Sequence, residues 1–227
     1  MKPLQVYIGY DSNEPISYHV LAHSILRRAS RPVSITPLKL SQLGGMYTRP
    51  PHPGQSTEFT FSRFLTPYIA GNGISIFMDC DMLCLGDISR LAEIAASDPY
   101  KDVFVVKHDY TPSTSTKFLR QVQTTYPCKN WSSLMVFNGH RMAVQDLTPD
   151  YINKATPMEL HQFKWARDIG ELPPEWNHLV GEYAPNVNAK LAHFTLGGPW
   201  FPEYDNCEFA TEWHDEAHSM IYPVRSI

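Results

Sequence analysis

Between residues 5 and 38 the chain sets out a strand, a helix and a second strand, and this unit restricts the possible folds more than any other feature. Gln5 to Tyr10 (QVYIGY) is an apolar run of strand length that reads as a buried strand. Asp11-Ser12-Asn13-Glu14-Pro15 follows, offering cap-type side chains and a proline suited to a first helical turn. Beyond it Ile16, Val20, Leu21 and Ile25 recur at helical spacing, and Val33 to Leu38 (VSITPL) is β-rich again. Strand, helix and strand in this order build a parallel sheet, so the expectation is an α/β fold.

The alternation continues. Phe61 to Ile69 reads as a short helix interrupted by Pro67, and Gly71-Asn72-Gly73 as a turn into the strand Ile74 to Met78. Asp87 is placed to cap a helix over Ile88 to Ala96. Asp102 to Val106 and Ser132 to Phe137 read as further strands. Thr148-Pro149 and Thr156-Pro157 are helix starts, the second with Glu159 placed for a capping box. Residues 41–57, rich in Gly, Pro and Ser, have no period; they predict a mobile functional loop or lid. Glu203 to Glu216 predicts a terminal surface helix.

Composition narrows the function classes. The 227 residues suit one domain, residues 1–227, and 43% apolar with 19% charged residues is globular. No apolar run approaches the roughly 20 residues of a membrane span, and the first segment lacks the features of a signal peptide, so a cytoplasmic protein is expected. A formal charge of −4 without a long basic run argues against a nucleic-acid partner. Cys80, Cys84, Cys128 and Cys207 show no paired spacing, which suggests reduced thiols rather than disulfides or structural zinc.

The chemistry concentrates at Asp79-Cys80-Asp81, where the apolar strand ISIFM ends. Side chains alternate faces along a strand, so Asp79 and Asp81 aim at one point while Cys80 turns away. Two close carboxylates repel, and a hard divalent cation relieves that repulsion while bridging diphosphate oxygens. In open α/β sheets ligands bind beyond the carboxyl ends of strands, which is where this pair lies. His193, in a strand running into Gly197-Gly198-Pro199-Trp200, supplies a neutral imidazole; mixed carboxylate and imidazole ligation suits Mn²⁺. The competing reading of the acids is a loop that caps the next helix.

Four blocks in order, VYIGYD, SRFLTPYIAG with Arg63, IFMDCDML and HFTLGGPW, resemble glycosyltransferase family 8, the retaining enzymes that include glycogenin and bacterial lipopolysaccharide galactosyltransferases. The resemblance implies a single GT-A (Rossmann-like) domain with a mostly parallel central sheet flanked by helices. It also implies that Asp79, Asp81 and His193 hold Mn²⁺ (or Mg²⁺) on the diphosphate of a nucleotide-sugar donor, UDP-sugar by analogy. Asp11 would meet the uracil or ribose with Tyr10 beside it, and Arg63 would contact donor phosphate or the acidic pair; Cys80 lies within the same donor-binding segment. Lys129-Asn130-Trp131-Ser132-Ser133 resembles the family's segment beside the transferred sugar, giving Asn130 and Ser132 as sugar contacts and Trp131 as a flat face or a core element. Gln162 matches the family's catalytic Asp-Gln pair, with His161 in place of the Asp.

Gly198 stands where the family has a phosphate-binding Lys, so the amides of Gly197 and Gly198, or Lys107 or Lys129, would have to take its task. The acceptor implied is a saccharide, a lipid-linked saccharide or another hydroxyl compound; the sequence leaves the choice, and the oligomeric state, open. Two alternatives remain at this point. One is a phosphohydrolase of the haloacid dehalogenase type, whose Asp-x-Asp usually opens its chain. The other is a nucleotide-sugar binding module without turnover.

Overall fold

The computed structural model describes residues 2–52, 55–112, 116–117, 121–122 and 127–222, the four residues 116, 117, 121 and 122 by backbone only. Leu4–Gly9 (β1) and Val33–Leu38 (β2) pair in parallel from Leu4↔Val33 to Gly9↔Leu38, joined through Pro15–Arg28 (α1). Pro15 opens α1, where its missing N–H costs nothing. Val20, Leu21 and Ile25 face the core, whereas Ile16, expected among them, is 42% exposed at the first turn. Pro37 is tolerated in β2 because β2 is the outermost strand of its sheet.

Ser62–Leu65 forms a 3₁₀ turn that passes directly into Thr66–Ala70 (α2). Pro67 therefore helps start this helix rather than interrupting it. Ile74–Met78 (β3) and Met82–Cys84 (β4) flank the acidic pair, followed by Ser89–Ser97 (α3) and Val103–Val105 (β5). Asp87 accepts the Ser89 amide at 3.0 Å and the Ser30 amide at 3.1 Å, so it ties α3 to the end of α1. A small antiparallel ladder joins Thr116–Lys117 (β6) and Gln121–Val122 (β7), and Leu134–Asn138 (β8) then runs through the core.

Helices Met142–Gln145 (α4), Pro149–Lys154 (α5) and Pro157–His161 (α6) come next. Thr148 caps α5 and the Thr156–Glu159 capping box closes α6, both as the sequence predicts. Ile169–Glu171 (β9), His178–Leu179 (β10), Leu191–His193 (β11) and Ala210–Ile221 (α7) complete the chain. The terminal helix starts later than its acidic stretch suggests, and it is not merely a surface helix: Ala210, Trp213 and Glu216 are buried.

The main sheet has the order β2-β1-β3-β8-β5-β9, with β8 antiparallel to both neighbours and the others parallel. This is the expected α/β architecture with a mostly parallel central sheet. Both faces are covered, and Ile76, Phe77 and Met78 of β3 are fully buried, each such side chain contributing roughly 1.5–3 kcal/mol. A second sheet, β10-β11-β4, lays β11 antiparallel to β4.

The loop 41–57 differs from expectation in its first part. Thr48 N–H donates to Asn153 Oδ1 at 2.8 Å, and Asn153 Nδ2 donates back to the Met46 carbonyl at 3.1 Å. Arg49 Nη1 donates to the carbonyls of Ile152 and Ala155 at 2.7 and 2.6 Å, and its guanidinium lies 4.3 Å from the Phe61 ring centre. Carbonyls at a helix end lack intrahelical partners, and Arg49 satisfies two of them at the end of α5. The first part of the loop is thus moored, while residues 53 and 54 lie outside the described residues. Among the described residues no helix is long and apolar enough to cross a membrane.

Candidate active site

The acidic pair is delivered by β3 and held by backbone on both sides. Asp79 N–H donates to the Ser133 carbonyl at 2.9 Å, and the Asp81 carbonyl accepts the Phe194 amide at 2.8 Å. Because β11 pairs with β4 in the register His193↔Met82, His193 arrives beside Asp81 although 112 residues separate them in the chain. One ligand atom each from Asp79, Asp81 and His193 lie within 4.8 Å of one another, and all three residues are buried. His193 Nε2 is 3.4 Å from Asp81 Oδ1.

Cys80 points the other way, as alternation requires. Its thiol lies 3.9 Å from Glu14 Oε1 on the α1 side, and burial, with Glu14 and Asp81 adding to it, pushes the thiol well above its ordinary pKa. Any part of Cys80 in ligand binding is therefore played by its backbone.

Arg63 Nη1 sits 2.8 Å from Asp79 Oδ1 and donates to the Ser132 carbonyl at 2.9 Å, with its guanidinium 5.2 and 5.1 Å from the ring centres of Phe59 and Phe77. Of the two tasks open to it in the sequence, the structure shows Arg63 paired with the acid. A planar, delocalised cation is the residue suited to a buried pair between aromatic rings. The guanidinium faces the two buried carboxylates, and the His193 imidazole stands beside Asp81. Two carboxylate oxygens and one imidazole nitrogen form a donor set that fits a divalent cation.

These groups form one wall of a cavity of about 320 Å³. Asn130, Ser132 and Gln162 line it as well, together with His161 and Met158. Asn130 adopts a left-handed conformation (φ 61°), which Asn tolerates better than most residues, and its Nδ2 donates to Tyr110 Oη at 2.7 Å. Ser132 Oγ is 3.0 Å from His161 Nδ1. Burial, with Arg63 and Arg49 nearby, lowers the His161 pKa to about 3, so this imidazole is neutral. Trp131 takes the core role: its ring packs 6.2 Å from Phe163 and its Nε1 donates to the His108 carbonyl.

Asp11 does not line this cavity. It borders a neighbouring one of about 400 Å³, which shares His52, Ser56 and Thr57 with the first. Its carboxylate is held by the amides of Asn13 and Glu58 and by Asn13 Nδ2. Tyr10 stands edge-on to Tyr18 at 5.6 Å, with Lys39 Nζ 5.0 Å from its ring centre. Gly197 (φ 139°) closes a turn by donating its N–H to the Phe194 carbonyl, and a side chain there would meet the Tyr204 ring. That amide is thus engaged within the turn. Lys107 lies 4.0 Å from Glu171, Lys129 faces Tyr110, and neither lines the cavity.

One residue of the site carries no signal in the sequence. Asn177, fully buried before β10, places Oδ1 2.9 Å from His193 Nδ1 and donates from Nδ2 to Ser133 Oγ at 2.9 Å. A lone Asn in PPEWNHLV follows no motif, and its bonds to Ser133, just before β8, and to His193 in β11 are what reveal it.

The sheet order, the Asp-x-Asp at the end of β3 and the histidine brought beside it define a GT-A glycosyltransferase fold, and solved structures share it. WbbM, a bifunctional glycosyltransferase, superposes with a TM-score of 0.66 at 16% identity over 95% of this chain and 49% of its own. GlyE, a glycosyltransferase of Streptococcus pneumoniae, gives 0.62 at 12% identity over 94% and 60%, so the chain spans about half to three-fifths of these two proteins. The galactosyltransferase LgtC, solved with donor and acceptor sugar analogs, gives 0.56 at 11% identity over 95% and 96%. No protein-family model matches the chain. Over 225 residues it is 43% identical to Protein CDI of Arabidopsis thaliana, covering 95% of this chain and 86% of that protein, and it belongs to the family of Protein CDI. The shared GT-A fold leaves the phosphohydrolase alternative without structural support.

Proposed function

We propose that the protein is a metal-dependent glycosyltransferase that moves a neutral hexose from a nucleotide-sugar, UDP-sugar by the family 8 resemblance, to a saccharide or other hydroxyl acceptor, with retention at the anomeric carbon. The observation that carries this reading is the buried Asp79, Asp81 and His193 set, its ligand atoms within 4.8 Å, on the wall of a sugar-sized cavity in a GT-A fold. Asp79, Asp81 and His193 would hold Mn²⁺, or Mg²⁺ in its place. When bound, the ion supplies electrostatic stabilisation of the charge that grows on the departing diphosphate oxygen.

Arg63 fixes the orientation of Asp79 and keeps this carboxylate compensated while the site is empty of substrate. Asn130, Ser132 and Gln162 offer amide and hydroxyl groups to sugar hydroxyls from the cavity walls, with Gln162 assigned a catalytic role by its resemblance to the family's Asp-Gln pair. Among the described residues that line the cavity the one Arg or Lys is Arg63, which is engaged by Asp79, and His161 is neutral; this favours an uncharged hexose over a uronate. Asp11 and Tyr10, on and beside the second cavity, are assigned to the nucleoside.

Isothermal titration of UDP with Mn²⁺ and with EDTA, on the wild type and on Asp81→Ala, tests the reading. Metal-dependent binding that disappears in the variant is expected, followed by hydrolysis or transfer from UDP-glucose or UDP-galactose ahead of UDP-glucuronate. Absence of UDP binding under both conditions, with the protein folded, would remove the donor assignment. Binding without any turnover would leave a nucleotide-sugar binding module.

A further inference from the structure

We propose that Asn177 is a positioning residue for the third ligand of the metal centre. Its amide locks His193 in the tautomer whose Nε2 lone pair is offered to a cation, and ties that choice to the Asn130 turn walling the cavity. This rests on the metal reading above and assigns a specific device to it.

The direction of every bond in the chain follows from its last acceptor. The Asn130 carbonyl oxygen can only accept, so the Ser133 hydroxyl, 2.7 Å away, places its hydrogen there. Ser133 Oγ then has only lone pairs left, and the Asn177 atom 2.9 Å from it must be the amide nitrogen. That turns Asn177 Oδ1 toward His193 Nδ1 at 2.9 Å, and an amide oxygen also only accepts. Nδ1 therefore carries the proton. A neutral imidazole has a single N–H, so Nε2 presents its lone pair, 3.4 Å from Asp81 Oδ1.

Asn177 is 0% exposed and His193 2%, so bulk water cannot substitute for either bond. In the opposite tautomer Nε2 would carry a hydrogen and offer nothing to a cation. Outer partners of this kind set ligand orientation and basicity in metal sites generally. Here the same amide joins His193 to Asn130, whose left-handed backbone places it on the cavity wall.

The test uses ¹⁵N-labelled, metal-free protein near pH 8, with long-range ¹H–¹⁵N correlation of the imidazoles and His193 assigned through its loss in His193→Gln. The expected result is an Nδ1–H tautomer at His193 in the wild type and in Asn177→Asp, whose carboxylate also only accepts, and a mixed or Nε2–H form in Asn177→Leu. Free Mn²⁺ followed by electron paramagnetic resonance is expected to show Asn177→Leu binding about 10–100-fold more weakly, and Asn177→Asp within about threefold of wild type. An Nε2–H tautomer in the wild type, or unchanged Mn²⁺ affinity in folded Asn177→Leu, overturns the inference. Should Asn177→Leu fail to fold, the tautomer of the wild type and the affinity of Asn177→Asp decide it. No Mn²⁺ binding by the wild type would overturn the metal reading itself, and this device with it.

Discussion

Arg63 is the residue that holds the acidic pair in place, through Asp79 and the Ser132 carbonyl. It is 5% exposed and its pairing with Asp79 is buried, so truncation takes a guanidinium away from a buried carboxylate in a low-dielectric pocket. Arg63→Ala is expected to lower stability by about 3–5 kcal/mol in urea unfolding without metal, and saturating Mn²⁺ should recover part of the loss. His161 gives a pH signature. Its folded pKa of about 3 lies below the ordinary 6.5, so the unfolded state binds the extra proton between these values. The stability it supports is complete above pH ~6.5 and falls as pH drops toward 3, by at most ~1.4 kcal/mol per pH unit. Melting temperature should decline from pH 7 to pH 5, and His161→Gln should flatten the decline. Asp79, Asp81 and His193 are legible in the sequence because strand alternation and motif order point at them. Asn177 is not, because its partners come from two distant segments and no periodicity marks it.

At the scale of elements, caps and the opening strand-helix-strand unit are placed by local signals, whereas segments defined by partners are not. The Thr156 capping box and the β1–α1–β2 unit are set by nearest neighbours in the chain, and they appear where the residues put them. Strands β4, β9 and β10 are two or three residues long, too short for a pattern, and exist because other strands pair with them. The same holds for the loop 41–57, whose composition reads as mobile while Arg49 and Asn153 moor its approach to α5. The contact between α1 and α7 is likewise invisible in either helix alone. Glu216, 1% exposed, accepts from His23, Arg27 and Arg28. Its three partners keep some solvent exposure, so Glu216→Gln is expected to cost about 1–3 kcal/mol in urea unfolding, less than a fully buried pair.

On the scale of the whole molecule, the alternation of strands and helices made the α/β class legible. The antiparallel insertion of β8 between β3 and β5 was not, since strand order depends on long-range pairing. The register His193↔Met82 has a thermodynamic consequence. Two of the proposed ligands come from the end of β3 and the third from a strand more than a hundred residues later, so an unfolded chain holds no preformed set. A cation that binds only the native state shifts the folding equilibrium by mass action, by about 2.7 kcal/mol at a hundredfold excess over its dissociation constant. Mn²⁺ alone, with no sugar or nucleotide, should raise the melting temperature of the wild type and leave His193→Ala nearly unmoved. The cross-strand register thus makes the protein's own unfolding transition a reporter of the proposed cation, readable before any substrate is known.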